Sequence, residues 1–317
     1  MALSFGIPDE VIATTMAKYQ PKLTDNVFKS SPTLFKMYEA GNKVMESGGE
    51  SLVEPLMYGD NSTFDWYSGY GLIDTTPQTG ITAAKFNWKQ MGGSITIDGK
   101  SIRQNKGNKE KIINLLEAKT KQAEQTAKKI LAQGLYATDA TDSTLKMHSL
   151  ATIIATTGTV GGISKSAQSW WQSQTGTAES FAANGLDEMR NIYNDCTVQD
   201  QTDHPDLIIT DQTDYERYEK ILQPQERFTD SKMADAGFEN LKFKNKPLTW
   251  DYYCTDGKMY FINTKYLKLH VHQDADLHTG EFIEPQDQDA LVAKMLWMGE
   301  LTVSNCSKHG VLTISAA

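Results

Sequence analysis

Signatures of catalysis, secretion and membrane insertion are all missing from this 317-residue chain. Its three cysteines, Cys196, Cys254 and Cys306, are odd in number and far apart, with no CxxC pair. That excludes a disulfide framework and a zinc knuckle, and it suits a reducing compartment. No stretch approaches the about 18 consecutive apolar residues of a spanning helix. Asp9 and Glu10 stand where a signal peptide needs a basic region and an apolar core, so neither secretion nor a membrane role is expected. There is no GxSxG elbow and no HExxH spacing. Asp98-Gly99-Lys100-Ser101 ends like a phosphate-binding loop, but Ser94 occupies the place of its first glycine, which leaves a tight turn after a strand. Gly158, Gly161 and Gly162 do not form GxGxxG and read as hinge glycines. Apolar residues make up only 39% of the chain, and mean hydropathy is -0.47, low for a compact enzyme of this length. Net charge is -9, so any nucleic-acid contact must be local.

What is present suggests an extended subunit of an oligomer. At roughly 150 residues per domain, the length predicts two lobes. Residues 1–50 mix short helical fragments with Pro8, Pro21 and Pro32 and the scattered anchors Phe28, Leu34, Phe35, Met37 and Tyr38, as an arm lying across something larger or a cap on the core. From Leu52 the helical period disappears. Phe64-Asp65-Trp66 and Phe86-Asn87-Trp88 alternate as strands do, and both are expected at the base of one long hairpin whose tip contains Gly69, Gly71, Pro77 and Gly80. Ser94–Asp98 adds another strand. Two strands alone are marginal in water, so the hairpin needs its own domain or a neighbour to cover it. Residues 108–137 form the clearest helix, with Asn108 as N-cap and a narrow apolar stripe of Ile112, Leu116, Ala123, Ala127, Ile130 and Leu131. Such a helix is roughly 40 Å long, a spine rather than a packing element. Lys100 to Leu135 holds nine Lys or Arg and three Glu, a local +6 that leaves -15 on the remainder. Lys106, Lys109, Lys111, Lys119, Lys121, Lys128 and Lys129 are the candidates for non-specific contact with DNA phosphates, set against a plainly solvated face or pairing with acids of neighbouring chains.

Residues 150–176, rich in Gly, Ser and Thr around Trp170-Trp171, read as a connector between lobes. Residues 181–198 form a helix with Leu186, Met189, Ile192 and Tyr193 on one face. Leu207-Ile208-Ile209 is a buried strand feeding a helix with Tyr215, Tyr218 and Leu222, and 290–314 reads as strands ending the chain inside a sheet. His270 and His272 share one strand face, with His278 nearby. They are the candidates for a metal site completed by Asp274 or Glu281, against the blander alternative of a solvated face. The acidic run from Asp274 to Asp289 lacks calcium-loop spacing and reads as a solvated or subunit-facing loop.

The order of these pieces resembles the major capsid proteins of tailed bacteriophages, the Hong Kong ninety-seven fold. The resemblance covers arm, hairpin, basic helix, the segment with Ile163-Ser164 and Trp170-Trp171, Pro205–Leu222, and Leu248-Thr249-Trp250-Asp251 leading to Met259-Tyr260-Phe261-Ile262-Asn263. It extends to Leu301–Cys306 and Gly310-Val311-Leu312 as a return to the peripheral domain. The implied α+β architecture divides into an N-terminal arm (1–50), an extended-loop hairpin (51–105), a peripheral domain with the spine helix (106–149), an axial domain (150–265) and a peripheral return (266–317). The implied function is structural: self-assembly through pentamers and hexamers into an icosahedral head around double-stranded DNA, in the virion, after assembly in the host cytoplasm. Portal, scaffolding and decoration proteins are the implied partners, with no cofactor and no membrane. Some members link subunits through a Lys–Asn isopeptide. Nothing around Lys85 or Lys89, the only hairpin lysines, marks either as reactive, and no crosslink is expected. No scaffold-like N-terminal extension is seen, as in a trimmed chain or one with a separate scaffold. The aromatics Phe64, Trp66, Phe86 and Trp88 are expected at subunit interfaces or in cross-strand pairs within the hairpin. The alternatives are an encapsulin-like compartment enclosing protein cargo, and a metal-dependent enzyme using His270, His272 and His278.

Overall fold

The computed structural model describes residues 31–39, 41–104, 109–197, 203–222 and 240–315, with residues 104, 109–114 and 240 described by backbone alone. The arm's expected anchor Phe28, the cap Asn108 and Lys106 lie outside the described residues, as do the side chains of Lys109, Lys111 and Ile112. Along the chain run α1 (Pro32–Tyr38), β1 (Lys43–Glu46), β2 (Leu52–Met57), β3 (Ile81–Phe86), β4 (Lys89–Asp98), α2 (Gly99–Gln104), α3 (Lys109–Gly134) and α4 (Leu150–Ile153). They are followed by β5 (Thr159–Val160), β6 (Ile163–Ser164), β7 (Gln174–Ala178), α5 (Leu186–Asp195), β8 (Leu207–Thr210) and α6 (Gln212–Leu222). The last strands are β9 (Asn240–Phe243), β10 (Lys246–Trp250), β11 (Lys258–Ile262), β12 (Leu267–His272), β13 (His278–Thr279), β14 (Ala290–Val303) and β15 (Gly310–Ile314).

Two sheets carry the molecule. In the first, the 14-residue β14 pairs along one edge with β4, from Ala290↔Asp98 to Gly299↔Lys89, and along the other with β13 and β12; β1 then adds parallel to β12. Burial along β14 alternates through Ala293, Met295 and Trp297. From Gly299 to Val303 every residue is buried, because the root of the hairpin covers the second face there. The spine helix α3, 26 residues and about 39 Å long, packs on β4, with Ala127 buried against Ile95, Ala293 and Met295. Leu115, absent from the expected stripe, is buried, while Ile130 is half exposed.

The second sheet has the order β7-β15-β11-β8-β10-β9. Its central strands β8 and β11 are apolar almost throughout, and the two-residue period sorts their side chains between two cores. Ile208, Met259, Phe261 and Leu312 pack with Met189, Ile192, Tyr215 and Tyr218 of α5 and α6. Leu207, Ile209, Tyr260 and Ile262 face the other way, into a core shared with Leu267, Leu269, Leu301 and Val303 of the first sheet. Here the expected domain division needs correction. β15 does not join the rest of 266–317 in the first sheet; it lies between β7 and β11 in the second. A single apolar strand carries no mark of which sheet will accept it.

The connector is more ordered than expected. Buried Trp171 donates Nε1 to the Val160 carbonyl at 3.1 Å, and buried Lys165 donates to the carbonyls of Thr152 (3.2 Å), Ile153 and Ala155 (3.1 Å) at the C-terminal end of α4. Gly161, at φ +61°, is a contact point rather than a free hinge. A Cβ there would sit 2.7 Å from the Ala84 Cβ, and its carbonyl accepts the Lys85 amide at 2.9 Å.

Candidate assembly surface

The hairpin is built by β2 and β3, registered from Leu52↔Phe86 to Met57↔Ile81. Its inward residues, Leu52, Leu56, Ala84 and Phe86, are buried. Burying the three larger ones contributes about 1.5–3 kcal/mol each, which fixes the root of a ribbon that two strands alone would not hold. The Phe64-Asp65-Trp66 triplet is not part of that base. Residues 58–80 have no strand at all, because side chains take the place of ladder partners: Asn61 Oδ1 accepts the Thr63 amide (3.0 Å) and hydroxyl (2.6 Å), and Asp74 Oδ1 does the same for Thr76 (2.9 and 2.6 Å). Ser62 Oγ donates to Gln78 Oε1 at 2.9 Å across the tip.

This ordered loop presents its apolar side chains outward. Trp66 is 99% exposed, Leu72 98% and Phe64 87%, and Met57, Tyr67, Tyr70, Ile73 and Ile81 are exposed as well. A contiguous apolar display of this kind is uncommon on a soluble monomer and marks a binding surface. Phe86, by contrast, is fully buried opposite Leu52, in the cross-strand role, so the interface expectation for it is corrected. Trp88 lies in the link to β4, half-buried, with Nε1 donating to the Gly49 carbonyl at 3.0 Å and its ring edge-on to His272. The tip carries Asp60, Asp65 and Asp74 and no basic residue.

On the opposite charge, α3 places Lys121 and Lys128 in solvent, Lys129 half-buried, and Lys119 beside the Thr96 carbonyl at 3.4 Å. A groove of about 360 Å³ runs between α3 and the β4–β14 pair, lined by Met91, Ala123, Thr126, Ile130 and Leu296. Lys85 is exposed on β3. Lys89 is buried, donating to the carbonyls of Asp142 (3.1 Å) and Thr144, which removes it from any surface chemistry.

The three histidines proposed as metal ligands are not brought together, and no cluster of three or more ligating side chains occurs among the described residues. His270 is buried between Glu46 and Glu54, at 3.3 Å from each. His272 Nδ1 accepts the Asp274 amide at 3.2 Å, and His278 is exposed on β13. The acidic run is used partly within the chain: Asp276 pairs with Lys43, and Asp289 takes a bidentate bond from Arg103 at 2.6 and 2.8 Å. Sequence reasoning missed His148, Asp142 and Glu300. His148 stands between the other two, with Glu300 fully buried. A lone histidine in Met147-His148-Ser149 carries no local signal of a partner 152 residues away. No described helix is long and apolar enough to cross a membrane.

Compared by sequence, the chain matches no protein-family model and no curated protein. Compared by structure, it is similar to the "Cyanophage A-1(L) capsid asymmetric unit", with a TM-score of 0.72 at 16% identity over 95% of this chain and 97% of that chain. The "Capsid of native GTA particle" gives 0.64 at 10% identity over 99% and 100%, and the "capsid of Myoviridae Phage XM1" gives 0.58 at 12% over 94% and 97%. Two sheets joined by a common core, a long helix on the first and a projecting hairpin define an α+β architecture. The fold of this chain is the Hong Kong ninety-seven type.

Proposed function

We propose that the chain is the major structural subunit of a phage-type head, assembling through pentamers and hexamers into an icosahedral shell around double-stranded DNA. The observation that carries this is the hairpin tip: an ordered loop that leaves Phe64, Trp66, Tyr67 and Tyr70 exposed to solvent, on a fold similar to capsid subunits. Its role is mechanical rather than catalytic, and its place is the virion. A second copy supplies the missing partner. The acidic, aromatic tip complements the groove beside α3 in both polarity and charge, and spreading contacts over neighbours is how modest individual interfaces build a strong shell. The lysines of α3 have packaged DNA as their other partner, by non-specific phosphate contact. Portal, scaffolding and decoration proteins complete the expected set of partners.

Negative-stain electron microscopy with light scattering tests the proposal on the purified protein. Closed shells or hexameric sheets are expected; persistent monomers or dimers across salt and concentration would overturn it. Nucleic acid inside the particles supports a phage head, and a discrete enzyme inside them replaces that conclusion with an encapsulin-like compartment.

A further inference from the structure

The root of the hairpin is surrounded by ionisable groups that shell assembly alone does not require. Glu54, on β2, lies 3.3 Å from His270 Nε2 and accepts the Thr302 hydroxyl at 3.1 Å; Glu46, on β1, lies 3.3 Å from His270 Nδ1. Across the β12–β14 ladder, His270 stands opposite Glu300. Glu300 Oε1 accepts the amides of His148 (2.7 Å) and Leu301 (2.9 Å) and lies 3.3 Å from His148 Nδ1. On its other side, His148 Nε2 bonds Asp142, whose second oxygen accepts the Gly162 amide at 3.1 Å. Phe86, the last residue of β3, meets the His148 ring edge-on, with centroids 5.5 Å apart. Each hairpin strand therefore rests on a histidine, β2 through Glu54 on His270 and β3 through Phe86 on His148.

The charges facing these two imidazoles come from every element packed against them: Glu46 from β1, Glu54 from β2, Glu300 from β14 and Asp142 from the loop before α4. The cations acting on this cluster are Lys268, through Glu54, and Lys89, whose ammonium binds the carbonyls of Asp142 and Thr144. Glu300 is completely buried, and its Oε2 has no hydrogen bond among the described residues. At 3.3 Å the imidazole–carboxylate approaches at Glu46, Glu54 and Glu300 are ion-pair contacts rather than well-aligned hydrogen bonds, so their strength depends on the imidazoles being charged.

We propose that this cluster is a proton-held latch, in which the charged His148, held between Asp142 and Glu300 and against Phe86, clamps the hairpin root to β14, and loss of the His148 proton releases it. Burial by itself lowers the His148 pKa, but the bond to Asp142, the contact with Glu300 and the charges of both outweigh it and carry it up to about 9. A raised histidine stabilises fully below its ordinary value near 6.5, and that contribution is lost as pH climbs through about 9. Glu54 is lowered chiefly by its contact with His270. Asp142 is lowered in spite of burial by His148 and the Gly162 amide. Both carboxylates therefore hold until pH falls below the usual carboxylate range. The latch is shut across neutrality and opens on the alkaline side. It does not rest on the shell reading, since every group belongs to one chain.

Hydrogen–deuterium exchange of the purified protein at pH 6.5, 8.0 and 9.5, corrected for intrinsic chemistry, tests it, with amides of 52–57 and 81–86 as readout and 207–210 and 258–262 as reference. In the window between 6.5 and 9, hairpin protection is expected to fall by up to about tenfold per pH unit, with the second sheet little changed. His148→Gln abolishes the step and leaves the hairpin poorly protected throughout. Asp142→Asn, at a partly exposed position, moves the step to lower pH and carries the test should the first variant not fold. Hairpin protection that ignores pH in the wild type, an unmoved step in Asp142→Asn, or simultaneous loss of protection in both sheets would overturn the proposal.

Discussion

Asp214 is an acid set where its charge is poorly accommodated. It lies at the start of α6, fully buried, with Arg217 donating to Oδ1 at 2.8 Å and no hydrogen bond to Oδ2 among the described residues. Burial, then the charge of Asp211 and a bond shared with it, push Asp214 up to about 6, and Arg217 offsets only part of this. A carboxyl raised in the fold stabilises while protonated and loses that contribution as pH rises through about 6. Asp214→Asn keeps the shape and removes the like-charge repulsion. The wild type is therefore expected to lose stability between pH 5 and 7.5, on the order of 1 kcal/mol from this site, and the variant to lose less. Urea midpoints at the two pH values check this, and equal losses in both proteins would refute it. The same residue scale is where sequence was least informative. Asp211 and Asp214 are three apart and readable as a helix start, but what raises Asp214 is burial, which a local pattern does not state. His270 and His272 looked alike in sequence. Packing separated them, giving one two glutamates from β1 and β2 and the other an indole edge.

Elements were legible where their information is local. The spine helix, the Leu207–Leu222 strand–helix unit and the Ser94–Asp98 end of β4 follow from periods of 3.6 and 2 written in adjacent residues. Partners were not, because β14 chooses β4 across about 200 residues of chain and β15 chooses β7 and β11 in the other sheet. The hairpin shows both outcomes. Its existence could be read from punctuation and aromatics, but its base falls at Leu52–Met57 and Ile81–Phe86, because Asn61 and Asp74 turn the intervening chain away from a ladder. Phe64 and Trp66 thereby become tip residues. Replacing both with serine removes exposed apolar surface without opening a cavity, so the thermal midpoint should change little, within about 0.5 kcal/mol of stability. Assembly should weaken at least tenfold in critical concentration, as aromatic anchors dominate interface energetics. Unaltered assembly by light scattering would remove the tip from the interface.

At the scale of the molecule, charge is distributed as unevenly as apolar surface. The chain is acidic overall at -9, yet the region from Lys100 to Leu135 is +6, and the hairpin tip 58–80 holds three aspartates and no cation. A subunit whose anionic tip and basic helix form no ion pair with each other among the described residues is left to be neutralised by a copy of itself. Such steering acts over about a Debye length, which shrinks from about 14 Å at 0.05 M salt to about 4 Å at 0.5 M. Shell assembly without nucleic acid should therefore slow several-fold over that range, mainly through the association rate. Changing Asp60, Asp65 and Asp74 to Asn should lower the rate at low salt and flatten the salt response, while the apolar contact of Phe64 and Trp66 remains. If the triple variant keeps the wild-type salt dependence, the basic helix is not the partner of the tip. Dependence that appears only when DNA is added would then assign Lys119, Lys121, Lys128 and Lys129 to the genome instead.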